Sequence, residues 1–277
     1  MLDGIRVRLR VALGFAALLL SDMAIILITG GSGMIGKALT LSLRRERHEV
    51  RWLSRQANGS DRFAWDVEKG TIDARALEGV DHVVHLAGAG IADKRWTHAR
   101  VKELIDSRAA SARLLLKTVR ERGIVPKSYV SAAGIGYYGA VTRAHLFTEK
   151  DAAGTDTIAS ISLEWERAAD EWSSLCRSVK LRTPMVLARE GGALPKLAAP
   201  ARWGLATPLG SGHQWMPWIH IDDLVRIYQQ AIFSVSMSGA YNVNSTDQPM
   251  NKEFMRAIAR TLRRPFFLPC VPAFVLR

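Results

Sequence analysis

Apolar and polar positions follow two alternating periods along this chain. Short runs of β-branched and aliphatic residues predict buried strands at 25–28, 48–54, 62–66, 81–88, 128–134 and 179–187. Stretches with apolar positions every three or four residues predict helices after Gly36 and at 97–121, 160–175, 222–233 and 251–264. Strands that alternate with helices predict an α/β fold, built on a Rossmann-like doubly wound parallel sheet.

The alternation loosens after Leu187 into a region rich in glycine and proline. Loops beyond the last core strands lie outside the carboxyl ends of the strands, where substrates bind. We therefore expect the main core over 23–187 and a small C-terminal substrate lobe over 188–277. About 216–243 is expected to return to the core.

The sequence TGGSGMIG follows the first strand and opens the first helix. Gly30 permits a tight turn, Gly33 lets the backbone approach a diphosphate, and Gly36 lets the helix pack close to the strand. The N–H groups of the first helical turn, with Met34 and Ile35, then face the diphosphate at the positive end of the helix dipole. This order of strand, glycine turn and helix predicts a dinucleotide site.

The end of the second strand indicates which dinucleotide fits. An acid there favours NAD(H), because it accepts hydrogen bonds from the free ribose hydroxyls. This strand ends instead in Ser54 and Arg55. A guanidinium offers a planar fork to a 2′-phosphate and the serine donates a further bond, so NADP(H) is preferred over NAD(H). The alternative for Arg55 is a solvated loop arginine.

Two further segments belong to the predicted cofactor site. Asp66 follows the third strand and is a candidate partner of the adenine amino group; its alternative is a turn-forming Asx residue. The sequence HLAG ends the fourth strand, and its Leu86, Ala87 and Gly88 are candidate cofactor-binding residues. Gly88 and Gly90 are expected to let the backbone approach the cofactor ribose. We interpret His85 in that strand as a hydrogen-bonded core residue.

Composition narrows the classes of function. The chain has 277 residues, 48% of them hydrophobic, which is enough for a full core and a smaller lobe. Cys176 and Cys270 lie far apart, which disfavours a disulfide framework and favours the cytoplasm. The formal charge of +12 comes from scattered basic residues without a nucleic-acid motif, so no nucleic-acid partner is expected. An anionic cofactor and a solvated basic face account for the excess.

Residues 1–22 need a separate interpretation. Three arginines precede an apolar stretch from Val11 to Leu20, which resembles a signal peptide and is too short to span a bilayer. The first strand begins at Ala24, directly after Met23, without a cleavage site and spacer. We expect an upstream extension or a misassigned start outside the fold, and no membrane partner.

Polar residues mark the starts of the last two helices. Asp222 or Asp223 is the expected cap of the first, and Asn251 that of the second. His220 beside these aspartates makes a poor set of metal ligands, so we interpret it as fixing the helix and expect no metal.

Together these motifs resemble an extended short-chain dehydrogenase/reductase. TGGSGMIG, HLAG, VSAAGIGYYG and WIHIDDLV carry the general resemblance. RWTHARVKELIDSR, LEWERAA, GGALPK and PLGSGHQWMPW are similar to the atypical epimerase-like subgroup, often labelled sugar-nucleotide epimerase or cell-division-inhibitor-like. The resemblance runs from Met23 to Arg277 and implies a Rossmann core with an NADP(H) or NAD(H) cofactor. It also implies a C-terminal helical segment that this chain lacks, which is expected to expose part of the lobe.

The resemblance leaves activity open, because the usual proton relay is missing. Active relatives carry Tyr-x-x-x-Lys on the helix after the fifth strand, whereas this helix reads SLEWE up to Glu166. Candidate replacements are Tyr137 and Tyr138 as proton donors, Ser131 as a bond to a substrate carbonyl, and Glu166 as a bond to the nicotinamide ribose. Their alternatives are tyrosines that only pack or line the pocket, a serine that bonds backbone, and an exposed helix carboxylate.

Candidate substrate residues come from two segments. Arg95 and Trp96 follow the fourth strand, and His213, Gln214 and Trp215 lie in the lobe. Guanidinium contacts and aromatic stacking suit an anionic or nucleotide-linked substrate. The alternative is that the tryptophans hold the lobe on the core.

The sequence therefore favours an NADP(H)-dependent oxidoreductase or epimerase-like enzyme, acting as a monomer or homodimer on a small polar or nucleotide-linked carbonyl or hydroxyl compound. The rival hypothesis is a non-catalytic protein that senses NADP(H). The missing relay favours the rival, and the cationic and aromatic segments favour the enzyme.

Overall fold

The computed structural model describes residues 23–267 and 269–271, so the interpretation of residues 1–22 lies outside the described residues. Its strands are β1 (Ile25–Thr29), β2 (Glu49–Ser54), β3 (Arg62–Asp66), β4 (Thr71–Ile72), β5 (His82–His85), β6 (Ser128–Gly134), β7 (Arg177–Thr183), β8 (Met185–Ala188), β9 (Gly191–Gly192), β10 (Trp218–His220) and β11 (Gly239–Asn242). Its α-helices are α1 (Met34–Arg45), α2 (His98–Glu121), α3 (Thr157–Asp170), α4 (Ala193–Arg202), α5 (Ile221–Phe233) and α6 (Asn251–Thr261).

The main sheet has eight strands in the order β11-β7-β6-β5-β1-β2-β3-β4. Every neighbouring pair is parallel except β3 with β4. From β1 the chain first builds outward through β2 and β3, and then continues on the other side with β5 and β6. The point between β1 and β5 is therefore the topological switch point, where α/β proteins form their ligand crevice. The predicted doubly wound parallel sheet is confirmed.

The sheet is buried on both faces, as parallel sheets require. Ile26 and Ile28 of β1 pack with α1 and α5 on one face. Leu27 packs on the other face with residues of α2 and with Trp172. The continuous apolar run of β1 follows from this two-sided burial.

A second, smaller sheet forms the lobe, with the strand order β10-β8-β9. Helices α4 and α6 pack over it through a separate apolar cluster that contains Ala198, Phe254 and Ile258. Between the elements of this lobe the chain returns to the main core, because α5 packs against α1 and β11 pairs with β7.

The predicted strand 179–187 is two strands in the structure. β7 belongs to the main sheet and β8 to the lobe sheet. Pro184 separates them, since proline has no N–H to donate to a strand ladder. The predicted helix 160–175 begins earlier, as α3, and its last turn is the 3₁₀ helix Glu171–Ser174.

The predicted helix caps are wrong. Neither Asp222 nor Asp223 caps α5; the cap is His220, whose Nδ1 accepts a hydrogen bond from the Asp222 N–H at 3.2 Å. Asn251 is the first residue of α6 rather than its cap. Its side chain is buried and accepts a hydrogen bond from the Leu209 N–H at 2.8 Å. A cap side chain accepts a hydrogen bond from its own helix, whereas the Asn251 side chain accepts one from Leu209 in a loop of the lobe.

Candidate functional site

The glycine turn after β1 has no room for side chains at three positions. Gly30 has a φ of +69°, and a Cβ on it would lie 2.7 Å from the Leu86 carbonyl carbon. A Cβ on Gly36 would lie 2.6 Å from the Gly30 carbonyl oxygen. The turn is therefore pressed against the end of β5 and against α1. Gly31 adds a requirement that the sequence analysis missed, since a Cβ there would lie 2.5 Å from the Trp52 ring.

The first turn of α1 presents N–H groups that can bind an anion. The hydrogen-bond ladder of the helix begins with the Lys37 N–H, which donates to the Gly33 carbonyl at 2.9 Å. The N–H groups of Met34, Ile35 and Gly36 precede this bond and have no acceptor within the helix. A Cβ on Gly33 would meet one backbone atom, at 3.3 Å, so the turn is open on that side. This arrangement fits a diphosphate.

The lobe contacts the same end of α1. A Cβ on Gly191 would lie 3.4 Å from the Met34 sulfur, and a Cβ on Gly192 would lie 3.2 Å from the Met34 methyl carbon. β9 therefore packs on the first residue of α1, and the crevice lies where the core meets the lobe. These two glycines belong to the family motif GGALPK, and their contact with α1 was not predicted from the sequence.

One threonine joins the carboxyl ends of β1 and β5. Thr29 Oγ1 accepts hydrogen bonds from the N–H groups of Leu86 at 3.2 Å and Ala87 at 3.1 Å, and lies 2.9 Å from His85 Nδ1. His85 is fully buried, and burial lowers its pKa to about 4, so the ring is neutral at pH 7. The network holds the Leu86–Ala87 backbone at the switch point, and His85 is a core residue, as predicted.

Two buried arginines of α2 hold the loop that follows Gly88, and the sequence analysis missed both. Arg108 Nη2 donates to the Ala89 carbonyl at 2.8 Å, and Arg100 donates to the Gly90 carbonyl. A Cβ on Gly88 would lie 2.9 Å from the Arg108 guanidinium carbon. The available signal was the spacing of these two arginines, eight residues apart on the apolar face of a helix.

The predicted adenosine side lies beyond β2 and β3. Arg55 is exposed there, and Ser54 Oγ accepts a hydrogen bond from the Gln56 N–H at 3.2 Å. Asp66 Oδ1 accepts hydrogen bonds from the N–H groups of Glu68 and Lys69, both at 3.0 Å. Asp66 therefore forms the turn that was its alternative interpretation, and its contact with adenine stays a prediction.

Ser131 and Ser162 both bond to backbone carbonyls. Ser131 is fully buried in β6, and its hydroxyl donates to the Ala132 carbonyl at 2.8 Å. Ser162 on α3 donates to the Ile158 carbonyl at 3.0 Å. This is the alternative interpretation of Ser131, and it leaves that hydroxyl facing the protein interior.

A buried network lies where the usual relay is missing. Arg182 of β7 donates through Nε and Nη2 to the two carboxylate oxygens of Glu166, at 2.7 and 2.9 Å, and both side chains are 4% exposed. Arg182 Nη1 donates to the Tyr138 hydroxyl at 2.7 Å, and that hydroxyl lies 2.7 Å from Asn242 Oδ1. Lys180 Nζ lies 3.6 Å from Glu166. The alternative of an exposed carboxylate at Glu166 is wrong. Because both carboxylate oxygens of Glu166 are bound to Arg182, they are less available to the nicotinamide ribose, and that predicted contact stays a prediction.

The two tyrosines after β6 differ in their surroundings. Tyr138 is buried, its ring stacks on Phe147 at 4.8 Å, and burial raises its pKa. Tyr137 is half-buried, and its ring centre lies 3.5 Å from the Arg182 guanidinium carbon. Within the described part of the chain, the side-chain hydrogen bonds of this pair of tyrosines all involve the Tyr138 hydroxyl. Tyr137 is therefore the tyrosine with a hydroxyl free for a ligand.

The predicted substrate residues lie in two separate loops. Arg95 and Trp96 are exposed in the loop before α2, where Trp96 Nε1 donates to the Ile91 carbonyl at 2.9 Å. The lobe segment holds His213, Gln214 and Trp215. Gln214 bonds within its own loop, and Trp215 Nε1 donates at 3.0 Å to a carbonyl in the segment between β6 and α3. The first loop is therefore ordered by a bond within itself, and the second by bonds within itself and to that segment. The role of both loops towards a substrate stays a prediction.

A cavity of about 740 Å³ lies between α4 and α6. Its lining includes Leu194, Trp218 and Phe254, and none of the five predicted substrate residues. Trp218 faces this cavity, whereas the next residue of β10, Ile219, packs in the main core. The cavity therefore opens on the outer face of the lobe sheet, away from the glycine turn.

Within residues 23–267 and 269–271, no group of three or more histidine, cysteine or acidic side chains is placed to hold a metal ion. In the same described part, none of the helices combines the length and the apolar character needed to cross a bilayer.

A doubly wound parallel sheet, a glycine turn and free N–H groups at the switch point define a Rossmann-type dinucleotide-binding protein. The chain belongs to the NAD dependent epimerase/dehydratase family, whose sequence model matches residues 26–243. The predicted membership among extended short-chain dehydrogenase/reductases is thereby confirmed, and this is a family of NAD(P)-binding proteins.

Similar proteins come from bacteria and animals. An epimerase family protein of Mycobacterium tuberculosis is 38% identical over 252 residues, covering 90% of this chain and 83% of that protein. Epimerase family protein SDR39U1 of Homo sapiens is 35% identical over 252 residues, covering 90% and 84%. A crystal structure of human SDR39U1 (isoform 2) with NADPH matches with a TM-score of 0.82 at 34% identity, covering 91% of this chain and 84% of that one. The nucleoside-diphosphate sugar epimerase of Corynebacterium glutamicum matches with a TM-score of 0.76 at 28% identity, covering 92% and 54%.

Proposed function

We propose that the protein is an NADP(H)-dependent oxidoreductase or epimerase-like enzyme acting on a small polar or nucleotide-linked carbonyl or hydroxyl substrate. The observation that carries the proposal is the glycine turn at the tip of α1. Gly30 and Gly36 leave no room for a Cβ, while the N–H groups of Met34 and Ile35 have no acceptor in the helix. Such a cradle fits the diphosphate of a dinucleotide and offers little to a neutral ligand.

NADP(H) is the proposed cofactor, in preference to NAD(H). β2 ends without an acid, and Ser54 and Arg55 lie where the 2′-phosphate of NADP(H) would be bound. Arg55 is exposed and can form a bidentate bond with a phosphate. The NADPH in the crystal structure of the human relative supports the same choice.

Tyr137 is the proposed proton donor. When bound, the reduced cofactor supplies a hydride to the carbonyl carbon of a substrate. The carbonyl oxygen then takes a proton, and the Tyr137 hydroxyl is free to give one, whereas the Tyr138 hydroxyl is held by Arg182 and Asn242. The Arg182 guanidinium over the Tyr137 ring holds that ring in place.

The substrate would contact the exposed loops. Arg95 and Trp96 on one side, and His213, Gln214 and Trp215 on the other, offer a guanidinium, a ring N–H and aromatic faces to an anionic or nucleotide-linked group. This chemistry supports a substrate that carries a phosphate or carboxylate.

A substrate screen tests the function. For the wild type, Tyr137→Phe and Tyr138→Phe, NADPH absorbance is followed with a panel of carbonyl compounds, and product formation from nucleotide sugars is followed by chromatography, because epimerisation leaves the amount of NADPH unchanged. We expect turnover in the wild type, a loss of at least about a hundredfold in kcat for Tyr137→Phe, and a smaller loss for Tyr138→Phe. Equal rates for wild type and Tyr137→Phe would remove the role of that tyrosine.

A non-catalytic NADP(H) sensor is the second candidate, favoured by one observation. Glu166 occupies the region of the usual catalytic lysine, and its carboxylate is locked in a buried ion pair with Arg182. Tight NADPH binding without turnover on every compound of the panel would support the sensor against the enzyme.

We further propose a cytoplasmic protein that acts as a monomer or homodimer, without nucleic-acid or membrane partners. The scattered arrangement of its basic residues supports the expected absence of a nucleic-acid partner. Light scattering measures the oligomeric state, and a gel-shift assay with random DNA and RNA at 0.15 M salt tests for nucleic-acid binding.

A further inference from the structure

Arg108 is a buried cation without a carboxylate partner among the described residues. The residue is 5% exposed, its Nη1 and Nη2 donate to the carbonyls of Leu104 and Ala89, and its Nε has no hydrogen-bond partner. Its neighbour Arg100 differs, since it forms an ion pair with Glu103 at 2.7 Å. Burial lowers the pKa of Arg108 to about 10, so the side chain still carries a full charge at pH 7.

The charge lies below the loop that follows β5. The Arg108 guanidinium carbon would lie 2.9 Å from a Cβ on Gly88 and lies 4.8 Å from the Trp165 ring of α3. β5 and β6 are on the opposite side of the switch point from β2, where the adenosine is expected. A dinucleotide held at the tip of α1 therefore extends its nicotinamide half over this loop.

The two other buried basic groups in this part of the site are paired, and the exposed Asp93 carboxylate lies beside Gly90 without an ion-pair partner among the described residues. Arg182 is paired with Glu166, and Lys180 with Asp170 at 2.6 Å. The net charge that the neighbouring buried groups add is therefore close to zero. Arg108 is therefore a buried positive charge on the nicotinamide side of the crevice that, among the described residues, has carbonyl partners and no carboxylate bonded to it.

We propose that Arg108 makes the site bind NADPH in preference to NADP⁺ and so favours carbonyl reduction. The nicotinamide ring of NADP⁺ is positively charged, and that of NADPH is neutral. The phosphates and the adenosine are common to both forms, so their contacts cancel in the ratio of the two dissociation constants. A buried positive charge therefore acts on this ratio, by repelling the oxidised ring. The inference rests on the proposed NADP(H) site and adds a preferred direction of reaction, carbonyl reduction, to the proposed function.

The test compares this ratio in charge variants. NADPH is titrated by its fluorescence and NADP⁺ by competition, for the wild type, Arg108→Gln and Arg108→Lys. We expect Arg108→Gln to lower Kd(NADP⁺)/Kd(NADPH) about tenfold, which corresponds to about 1.4 kcal/mol of charge repulsion. For a two-electron couple this is a shift of about 30 mV in the potential of the bound cofactor. Arg108→Lys keeps the charge and is expected to keep the ratio within about twofold.

Ser107→Asp tests the charge without removing the guanidinium. Ser107 Oγ lies 3.4 Å from Arg108 Nη1 and accepts a hydrogen bond from the Ala89 N–H at 3.0 Å, which a carboxylate also accepts. We expect a fall in the ratio similar to that of Arg108→Gln. Lys117→Gln, which removes an exposed charge from the same helix, is expected to leave the ratio unchanged.

The outcomes separate this inference from the proposed function. An unchanged ratio in Arg108→Gln and Ser107→Asp would overturn the inference while the cofactor site stands. Equal loss of both affinities, with no rescue by lysine, would show that Arg108 only positions the loop. A wild type that binds neither form would overturn the proposed function itself.

Discussion

Replacing Gly30 by alanine tests how tightly the glycine turn fits. The φ of +69° at Gly30 costs an alanine about 1–2 kcal/mol, because its Cβ crowds the following carbonyl oxygen. The same Cβ would lie 2.7–2.9 Å from three backbone atoms of Leu86 and Ala87. Since those atoms directly follow β5, an inner strand of the main sheet, relief requires a shift of the backbone at the end of that strand, which adds about 1–3 kcal/mol. We therefore expect Gly30→Ala to lower the free energy of unfolding by about 2–5 kcal/mol in total.

Gly70 provides a matched control. Its φ is +67°, and a Cβ there has nothing within 4 Å. Gly70→Ala therefore carries the conformational cost alone, about 1–2 kcal/mol. Urea unfolding followed by tryptophan fluorescence measures both variants. NADPH titration is expected to show at least about a tenfold loss of affinity for Gly30→Ala, equivalent to about 1.4 kcal/mol, and no loss for Gly70→Ala. If the two variants lose the same stability and both bind NADPH normally, the turn is not the close contact described here.

Three further predictions concern single charges. Glu166→Gln leaves a buried guanidinium without its ion-pair partner and is expected to lower the free energy of unfolding in urea by about 3 kcal/mol. The surface variant Glu164→Gln is the control, with an expected loss of less than about 0.5 kcal/mol. Similar losses of stability in the two variants would contradict the buried network. Because the folded pKa of His85 lies near 4, below its ordinary value of 6.5, its contribution is present above pH 6.5 and is lost between pH 6.5 and 4. The free energy of unfolding is expected to fall over that range by up to about 3 kcal/mol from this residue, and an equally steep fall in His85→Gln would refute the assignment. In calorimetry, Arg55→Ala is expected to weaken NADPH binding about 10- to 100-fold and to change NADH binding little. Arg122→Ala is the control for the loss of an exposed arginine. Equal losses of affinity for NADPH and NADH in Arg55→Ala would exclude a bond to the 2′-phosphate.

Regular elements could be predicted where the chain pattern is unambiguous. β3 and β6 have the predicted bounds, because their apolar runs end at polar or glycine residues. The start of α2 is also as predicted, since the Thr97 hydroxyl accepts a hydrogen bond from the Arg100 N–H. The division at Pro184 was missed because periodicity alone cannot show that two consecutive strands belong to different sheets.

The candidate site was predictable only where its residues are consecutive in sequence. The glycine turn is such a segment, and its geometry follows from TGGSGMIG. The ion pair between Arg182 and Glu166 joins β7 to the helix α3 packed beside it, and no periodic spacing within one element indicates it. Arg108 was missed for a related reason. A basic residue in a helix is usually exposed, and the spacing of Arg100 and Arg108 on the apolar face is only a weak sign of burial until the packing of α2 against the loop at Gly88 is known.

A crystal structure of the protein with NADPH tests the central claim most directly. We expect diphosphate oxygens about 3 Å from the backbone nitrogens of Met34 and Ile35, with the 2′-phosphate beside Arg55. A diphosphate bound elsewhere, for example in the cavity between α4 and α6, would contradict it.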